Sequence, residues 1–469
     1  MSQNETSGTS MTDEQAAPKT PTKNIIKVRD DQVPLLFAPN GDGSFKFTDG
    51  SSASWAGNAD SFTQKELRFH IEPWLTSLFQ SEHLSLLAGS GLTHAIHLLA
   101  AGKPAAGMNS LQLSNHANKI NAEAEKSAAE AGREKNNLED QLRVANELLR
   151  GLEILGDDST EALRTELNAG MTEFAKSILD SEGGIVSADS DKRRQAFDTL
   201  VTFLMSFASR TGTRDRLSIF TTNYDRLVEA GAELAGLHLL DRFLGTLMPI
   251  FRSSRLDLDM HYNPPGIRGE PRYLEGVARF TKLHGSVDWV QIDKDIRRIG
   301  LPFGASDISP FLKAPGLDGA TAHELMIYPN AAKDRETSAY PYVELFRDFA
   351  AAICRPNSTL VTYGYSFGDE HINRVIRDML TIPSTHLVVI AYNDPLGRIM
   401  QMYKDVGRAP QISLLIGSAL ADLTTLTESY LPKAAIDKTT FRMAELLKQR
   451  WGTQQPPKKP PTDEGGELA

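Results

Sequence analysis

Short, almost unbroken apolar runs recur along the second half of this chain: Leu217–Phe220, Phe280–Leu283, Leu325–Tyr328, Thr359–Tyr363, Leu387–Ala391 and Ile412–Ile416. Strands covered on both faces by helices read this way, whereas strands with one wet face alternate. An earlier run, His83–Ala88, has the same character and passes through Gly89-Ser90-Gly91 into a helical stretch reaching Leu98. The pattern predicts an α/β fold with a mostly parallel sheet flanked by helices.

Other periods fill the space between these runs. Over residues 62–80, Leu67, Ile71, Trp74 and Leu78 share one face of an amphipathic helix. Between Val33 and Trp55, short alternating runs surround the turn signal Pro39-Asn40-Gly41-Asp42-Gly43, which reads as a hairpin laid against the main domain. Residues 108–210 are polar and rich in Ala, Glu, Lys, Asn and Gln, a helical insertion between the first two core strands. Within it Leu138, Leu142, Ala145, Leu149 and Leu152 form a heptad seam too short for a coiled coil. An antiparallel helical hairpin packed on the sheet domain accounts for it, and it is also a surface for self-assembly or a partner. Residues 250–275 and 299–320 read as long loops.

The ends differ in composition from the middle. Residues 1–32, rich in Ser, Thr, Gln and charge, read as disordered. Residues 431–469 read as a C-terminal helix and a disordered tail with Pro456-Pro457 and Pro460-Pro461. A catalytic domain over 33–430, interrupted by the insertion, is the expected organisation.

With 469 residues, 40% of them hydrophobic, the chain can bury a large core. Its net charge of −10 argues against a general polyanion-binding surface. No apolar run approaches the roughly 20 residues of a membrane span, and the N-terminus has no signal-like apolar stretch. One cysteine, Cys354, excludes an intrachain disulfide and a Cys-based zinc site. Cytoplasmic residence, with no membrane and no direct nucleic-acid contact, is the expectation.

Candidate chemistry sits in four strings, each at the end of an expected strand: Leu87-Ala88-Gly89-Ser90-Gly91-Leu92-Thr93, Thr221-Thr222-Asn223-Tyr224-Asp225, Lys282-Leu283-His284-Gly285-Ser286 and Tyr363-Gly364-Tyr365-Ser366-Phe367-Gly368. In a parallel sheet the carboxyl ends of the strands face one crevice. A glycine turn leading into a helix suits a pyrophosphate, met by amides at the helix N-terminus. A second such turn, followed by Asn393 after the next strand, adds a place for an adenosine ribose. Asn223 or Asp225 also suffices as a helix cap, and a lone His284 at a strand end is more often structural. His94 and His97, and Asp369 with His371, hint at metal ligation. No third ligand lies beside the first pair in sequence, and Asp369 as a helix N-cap explains the second, so no metal is expected.

Taken together, Gly-Ser-Gly, Thr-Thr-Asn-Tyr-Asp, Leu-His-Gly-Ser and Gly-Tyr-Ser resemble the motifs of the sirtuin superfamily, specifically its bacterial branch in antiphage defence. The resemblance covers about 80–100 and 215–430. It implies a Rossmann-like NAD-binding domain that breaks the nicotinamide–ribose bond. It places Gly89, Ser90, Gly91 and Thr93 against the pyrophosphate and ribose, with Gly364 and Ser366 in the second turn. Asn393 falls at the adenosine ribose and Ser418, after Gly417, near the adenine. Asn223 would hold a water or ribose hydroxyl at the reacting carbon, Asp225 the nicotinamide carboxamide, and His284 would be the catalytic histidine.

Two departures bear on activity. Sirtuin deacylases follow the first motif with Pro-Asp-Phe-Arg, whereas Leu92-Thr93-His94-Ala95 stands here, and they carry a four-cysteine zinc module. The resemblance therefore implies an NAD hydrolase that depletes NAD when triggered. A protein deacylase or ADP-ribosyltransferase is the alternative, and a non-catalytic nucleotide sensor a third. It also implies homo-oligomers and a HerA-type ATPase or short Argonaute partner; no Gly-x-x-x-x-Gly-Lys-Ser motif is present in this chain, so an ATPase function would come from the partner.

Overall fold

The apolar runs become strands because both of their faces are covered. The structure is a computed structural model that describes residues 23–433, except 30, 57–60, 106–109, 131–135, 137, 209–214, 254–258, 263–271, 293, 315, 318–320 and 323–339. Among the described residues ten strands form one sheet. They are β1 (Asn24–Lys27), β2 (Leu35–Pro39), β3 (Phe45–Phe47), β4 (His83–Ala88), β5 (Leu217–Thr221), β6 (His238–Leu240), β11 (Val277–Lys282), β15 (Ser358–Tyr363), β16 (His386–Ala391) and β17 (Ile412–Ile416). Their order is β3-β2-β1-β17-β16-β15-β4-β5-β11-β6. The strands from β17 to β6 run parallel, and β1 to β3 add an antiparallel edge. This is an α/β, Rossmann-like architecture.

Helices cover both faces. They are α1 (Gln64–Phe79), α2 (Ser90–Ala101), α3 (Ala117–Glu130), α4 (Leu138–Leu155), α5 (Thr160–Val186), α6 (Ser190–Ala208), α7 (Leu227–Leu234), α8 (Tyr342–Ile353), α9 (Glu370–Leu380), α10 (Arg398–Val406) and α11 (Ser418–Ala421). Alternate strand residues feed two cores. Leu86, Ile219, Phe280 and Val388 pack with α1, α2, α6 and α7, while Leu87, Phe220, Leu360 and Val389 pack with α8, α9 and α10. The α4 seam buries Leu138, Leu142, Ala145 and Leu152 in a third cluster with residues of α3 and α5 and with Val287 and Val290.

Several features depart from the expectations. Residues 24–27, inside the segment expected to be disordered, form β1, whose Ile25 to Lys27 pair with β17. Helix α6 lies in the main core through Leu200, Phe203 and Phe207, so the last part of 108–210 is a covering layer of the sheet. Part of the expected loop at 250–275 is strand. β7 (Phe243–Leu244), β8 (Ile250–Phe251), β12 (Trp289–Ile292), β13 (Asp295–Arg298) and β14 (Thr321–Ala322) make a second antiparallel sheet, and β9 (His261–Tyr262) pairs with β10 (Arg272–Tyr273). The expected strand Leu325–Tyr328 and most of both chain ends lie outside the described residues.

Chain order turns around at β4. On one side of it lie β5, β11 and β6, and on the other β15, β16 and β17. Strand order that reverses in this manner leaves a crevice at the carboxyl ends, here between β4 and β15. All four motifs follow those ends in register, since Ala88 pairs with Thr221 and Tyr363, and Lys282 with Thr221.

Candidate active site

The two glycine turns meet backbone to backbone. A Cβ on Gly91 would lie 2.6 Å from the Gly364 Cα, and one on Gly89 would lie 2.5 Å from the Gly364 oxygen. The Gly91 amide donates to the Gly364 oxygen at 3.0 Å, and Gly364 itself holds φ of +63°. Glycine is therefore required here by the approach of one turn to the other. Ser90, the first residue of α2, is exposed at this junction, as is Ser366.

From this junction a chain of hydrogen bonds runs across to the second motif. Asn223 Nδ2 donates to the Gly89 oxygen and to Thr93 Oγ1, both at 3.0 Å. Thr93 Oγ1 in turn donates to Asp225 Oδ2 at 2.7 Å. A carbonyl oxygen only accepts, so the Asn223 amide nitrogen must face Gly89. That orientation leaves Asn223 Oδ1 as the acceptor, and among the described residues none donates to it. Asn223 is buried, Thr93 half-buried. Asp225 also accepts from the Leu227 amide at 3.0 Å, so it braces the start of α7 as well as Thr93.

His284 lies in the turn after β11 and is only 2% exposed. The turn is closed by Gly285 at φ +82° and by the Val287 amide donating to the Tyr224 oxygen at 3.0 Å. The Tyr224 ring tilts against the imidazole at 6.3 Å. His284 Nε2 stands 3.3 Å from Nε2 of His371, a residue assigned to no site from sequence. Asp369 occupies the N-cap position of α9, yet its side chain makes no capping bond, contrary to expectation. Instead one ligand atom each of His284, Asp369 and His371 lie within 4.8 Å of one another. Sequence distance hid this group, because 85 positions separate two of its members.

The other expected positions fall on the same edge, farther along it. Gly364 and Ser366 begin a loop pinned by Asn373, whose Nδ2 donates to the Phe367 oxygen at 3.0 Å and whose Oδ1 accepts from Tyr365 Oη at 3.1 Å. Asn393 is exposed after β16. Ser418 opens α11 after Gly417, whose φ is +121° and whose Cβ would lie 2.2 Å from Asn24 Oδ1. Asn24 caps this turn by accepting from the Ala419 amide at 3.0 Å. The structure thus brings Gly89, Gly91, Thr93, Asn223, Asp225 and Gly364 into direct contact. It places His284 beside Tyr224, the residue between Asn223 and Asp225, and sets Asn393 and Ser418 apart, on neighbouring strand ends.

A buried layer of charge supports the turn from beneath. Lys282 Nζ donates to the Asp225 carbonyl and, at 3.0 Å, to Glu229 Oε1. Burial pushes the Glu229 carboxyl up to about 7, with Lys282 opposing and Asp288 adding to the shift. From the insertion, Glu182 of α5 grips Arg226 through its backbone amide at 2.8 Å and through its guanidinium. Burial pushes the Glu182 carboxyl above its ordinary range, against the pull of Arg226. His94 is held below the usual histidine range, first by burial and then by His97. His97 has a structural place, with Nδ1 on the Lys103 oxygen at 2.8 Å and Nε2 against Gly184.

No helix of the described residues is long and apolar enough to cross a membrane. No curated protein matches the chain. Residues 217–407, which hold the second, third and fourth motifs, match the family model of the SIR2-like domain, and this supports a Sir2-like family, typically NAD-processing enzymes, for the chain.

Proposed function

We propose that this chain is an NAD hydrolase, cleaving the nicotinamide–ribose bond to give nicotinamide and ADP-ribose. The observation that carries the reading is the oriented chain Asn223–Thr93–Asp225, with the buried His284 against Tyr224 of the same motif, within a fold and domain match that point to NAD. The bond to be broken joins ribose C1′ to a cationic ring nitrogen. Its electron pair leaves with nicotinamide, and C1′ passes through an oxocarbenium-like state of the kind met in glycoside hydrolysis.

Each residue has a part that follows from its atoms. Asn223, fixed by Gly89 and Thr93, presents Oδ1 to a water or ribose hydroxyl. Asp225, held by Thr93 and the Leu227 amide, grips the nicotinamide carboxamide through its remaining lone pairs. His284 accepts the proton released as water oxygen bonds to C1′. Ser90 and Ser366 offer hydroxyls toward the phosphates, with Asn393 and Ser418 toward the adenosine. The Gly91 amide has a different task, the bond to Gly364. Burial of His284 and Asn223 limits stray water around the reacting carbon.

We extend the reading to NAD depletion in antiphage defence, in a homo-oligomer or with a HerA-type ATPase or short Argonaute partner; the motif resemblance supports this. A deacylase or ADP-ribosyltransferase would consume NAD only with an acceptor. NAD incubated with the purified chain and no peptide should yield ADP-ribose and nicotinamide in equal amounts. Turnover that appears only when an acylated peptide is added would replace the hydrolase with the deacylase.

A further inference from the structure

We propose that His284, His371 and Asp369 form a binding site for a divalent metal ion of the zinc class. Two imidazoles and one carboxylate are a donor set that suits zinc, cobalt and ferrous iron, and none of the three requires a cysteine. The three come from two elements that the fold brings together: His284 from the turn after β11, Asp369 and His371 from the start of α9.

The distances fit a shared ion. Two nitrogen ligands of a tetrahedral zinc, each about 2.0–2.1 Å from it, stand about 3.3 Å apart. The His284 and His371 Nε2 atoms are separated by 3.3 Å. A carboxylate oxygen of Asp369 and one ring nitrogen of each histidine all lie within 4.8 Å of one another, so the three residues can face one ion. Both imidazoles are buried, and each has a fixed pose. The Phe346 ring meets His371 edge-on at 4.7 Å, and Tyr224 flanks His284. The loop carrying Asp369 is held by Asn373 and Tyr365. A ligand set on a rigid frame forms a site with little reorganisation.

Such an ion would take the nitrogen lone pair of the proposed general base, so zinc would act as an inhibitor; this consequence rests on the hydrolase reading, the binding itself does not. The test uses the full chain, stripped of metal with a chelator and titrated with Co²⁺. One equivalent should raise the intense visible bands of low-coordinate cobalt, and Zn²⁺ should displace them. His371→Ala and Asp369→Ala should each weaken Co²⁺ binding by at least about tenfold, with unchanged circular dichroism. Absence of bands in the wild type, or bands that persist equally in both folded variants, would overturn the site. In parallel, Zn²⁺ should suppress nicotinamide release and a chelator restore it. Cobalt bands without any release would leave the metal site standing and count against the hydrolase; release without bands would do the reverse.

Discussion

Thr93 is the hinge of the proposed chemistry at the scale of single residues. Its hydroxyl accepts from Asn223 and donates to Asp225, and no isostere lacking oxygen can do both. Thr93→Val keeps the shape and removes the polarity, so we expect nicotinamide release to fall at least tenfold, about 1.4 kcal/mol in the barrier. Thr93→Ser should restore most of it. Equal rates in the Val variant and the wild type would remove Thr93 from the site. The strand-end positions of Asn223, Asp225 and His284 were legible in the sequence because each follows an apolar strand. The need for glycine at 89, 91 and 364 was legible too, but its cause was not, since turn-to-turn contact joins residues about 270 positions apart. Asp369 and His371 carried a hint of metal ligation in the sequence, but local spacing could not show that His284, 85 positions away, lies beside them.

At the scale of elements, α5 and β11 both press on the turn after β5. The Glu182–Arg226 pair is buried on both sides, at 2% and 7% side-chain exposure. Glu182→Ala would leave the guanidinium buried without its carboxylate, a change that costs about 3–5 kcal/mol. A lower thermal midpoint in the variant should accompany weaker activity, because the same bond holds the Arg226 backbone beside Asp225. A midpoint within error of the wild type would show that α5 is not a brace. Glu229 supplies a pH signature. Its carboxyl is raised in the folded protein to about 7 from an ordinary value near 4.5. The folded state therefore holds a proton that the unfolded state has lost. That contribution is full below about 4.5 and disappears as pH rises through about 7. Glu229→Gln should flatten the fall in thermal midpoint over this window, and an unchanged profile would contradict the assignment. Long apolar strands such as β15 and β16 announced themselves, whereas the two- to four-residue strands of the small sheet carry too few apolar positions to be seen.

Across the whole molecule, the sheet does two things with one edge. Its order reverses between β4 and β15, where such sheets open a crevice, and its antiparallel extension meets the turn after β17 through Asn24 and Gly417. The α/β class and most of the central strands could be read from apolar runs buried on both faces. The β1 contribution could not, because a strand of four residues with two polar side chains looks like the polar segment around it. Insertion helices α3 to α5 share a core with Val287 and Val290, the residues that follow the His284 turn. That shared packing links the insertion to the turn that carries His284.

The most direct test of the account is nicotinamide release from NAD by the full chain, measured beside Asn223→Ala and His284→Ala with folding checked by circular dichroism. The account predicts release by the wild type and its loss in both folded variants. Undiminished release from either variant would contradict it, because the chemistry would then lie outside the site that these residues define.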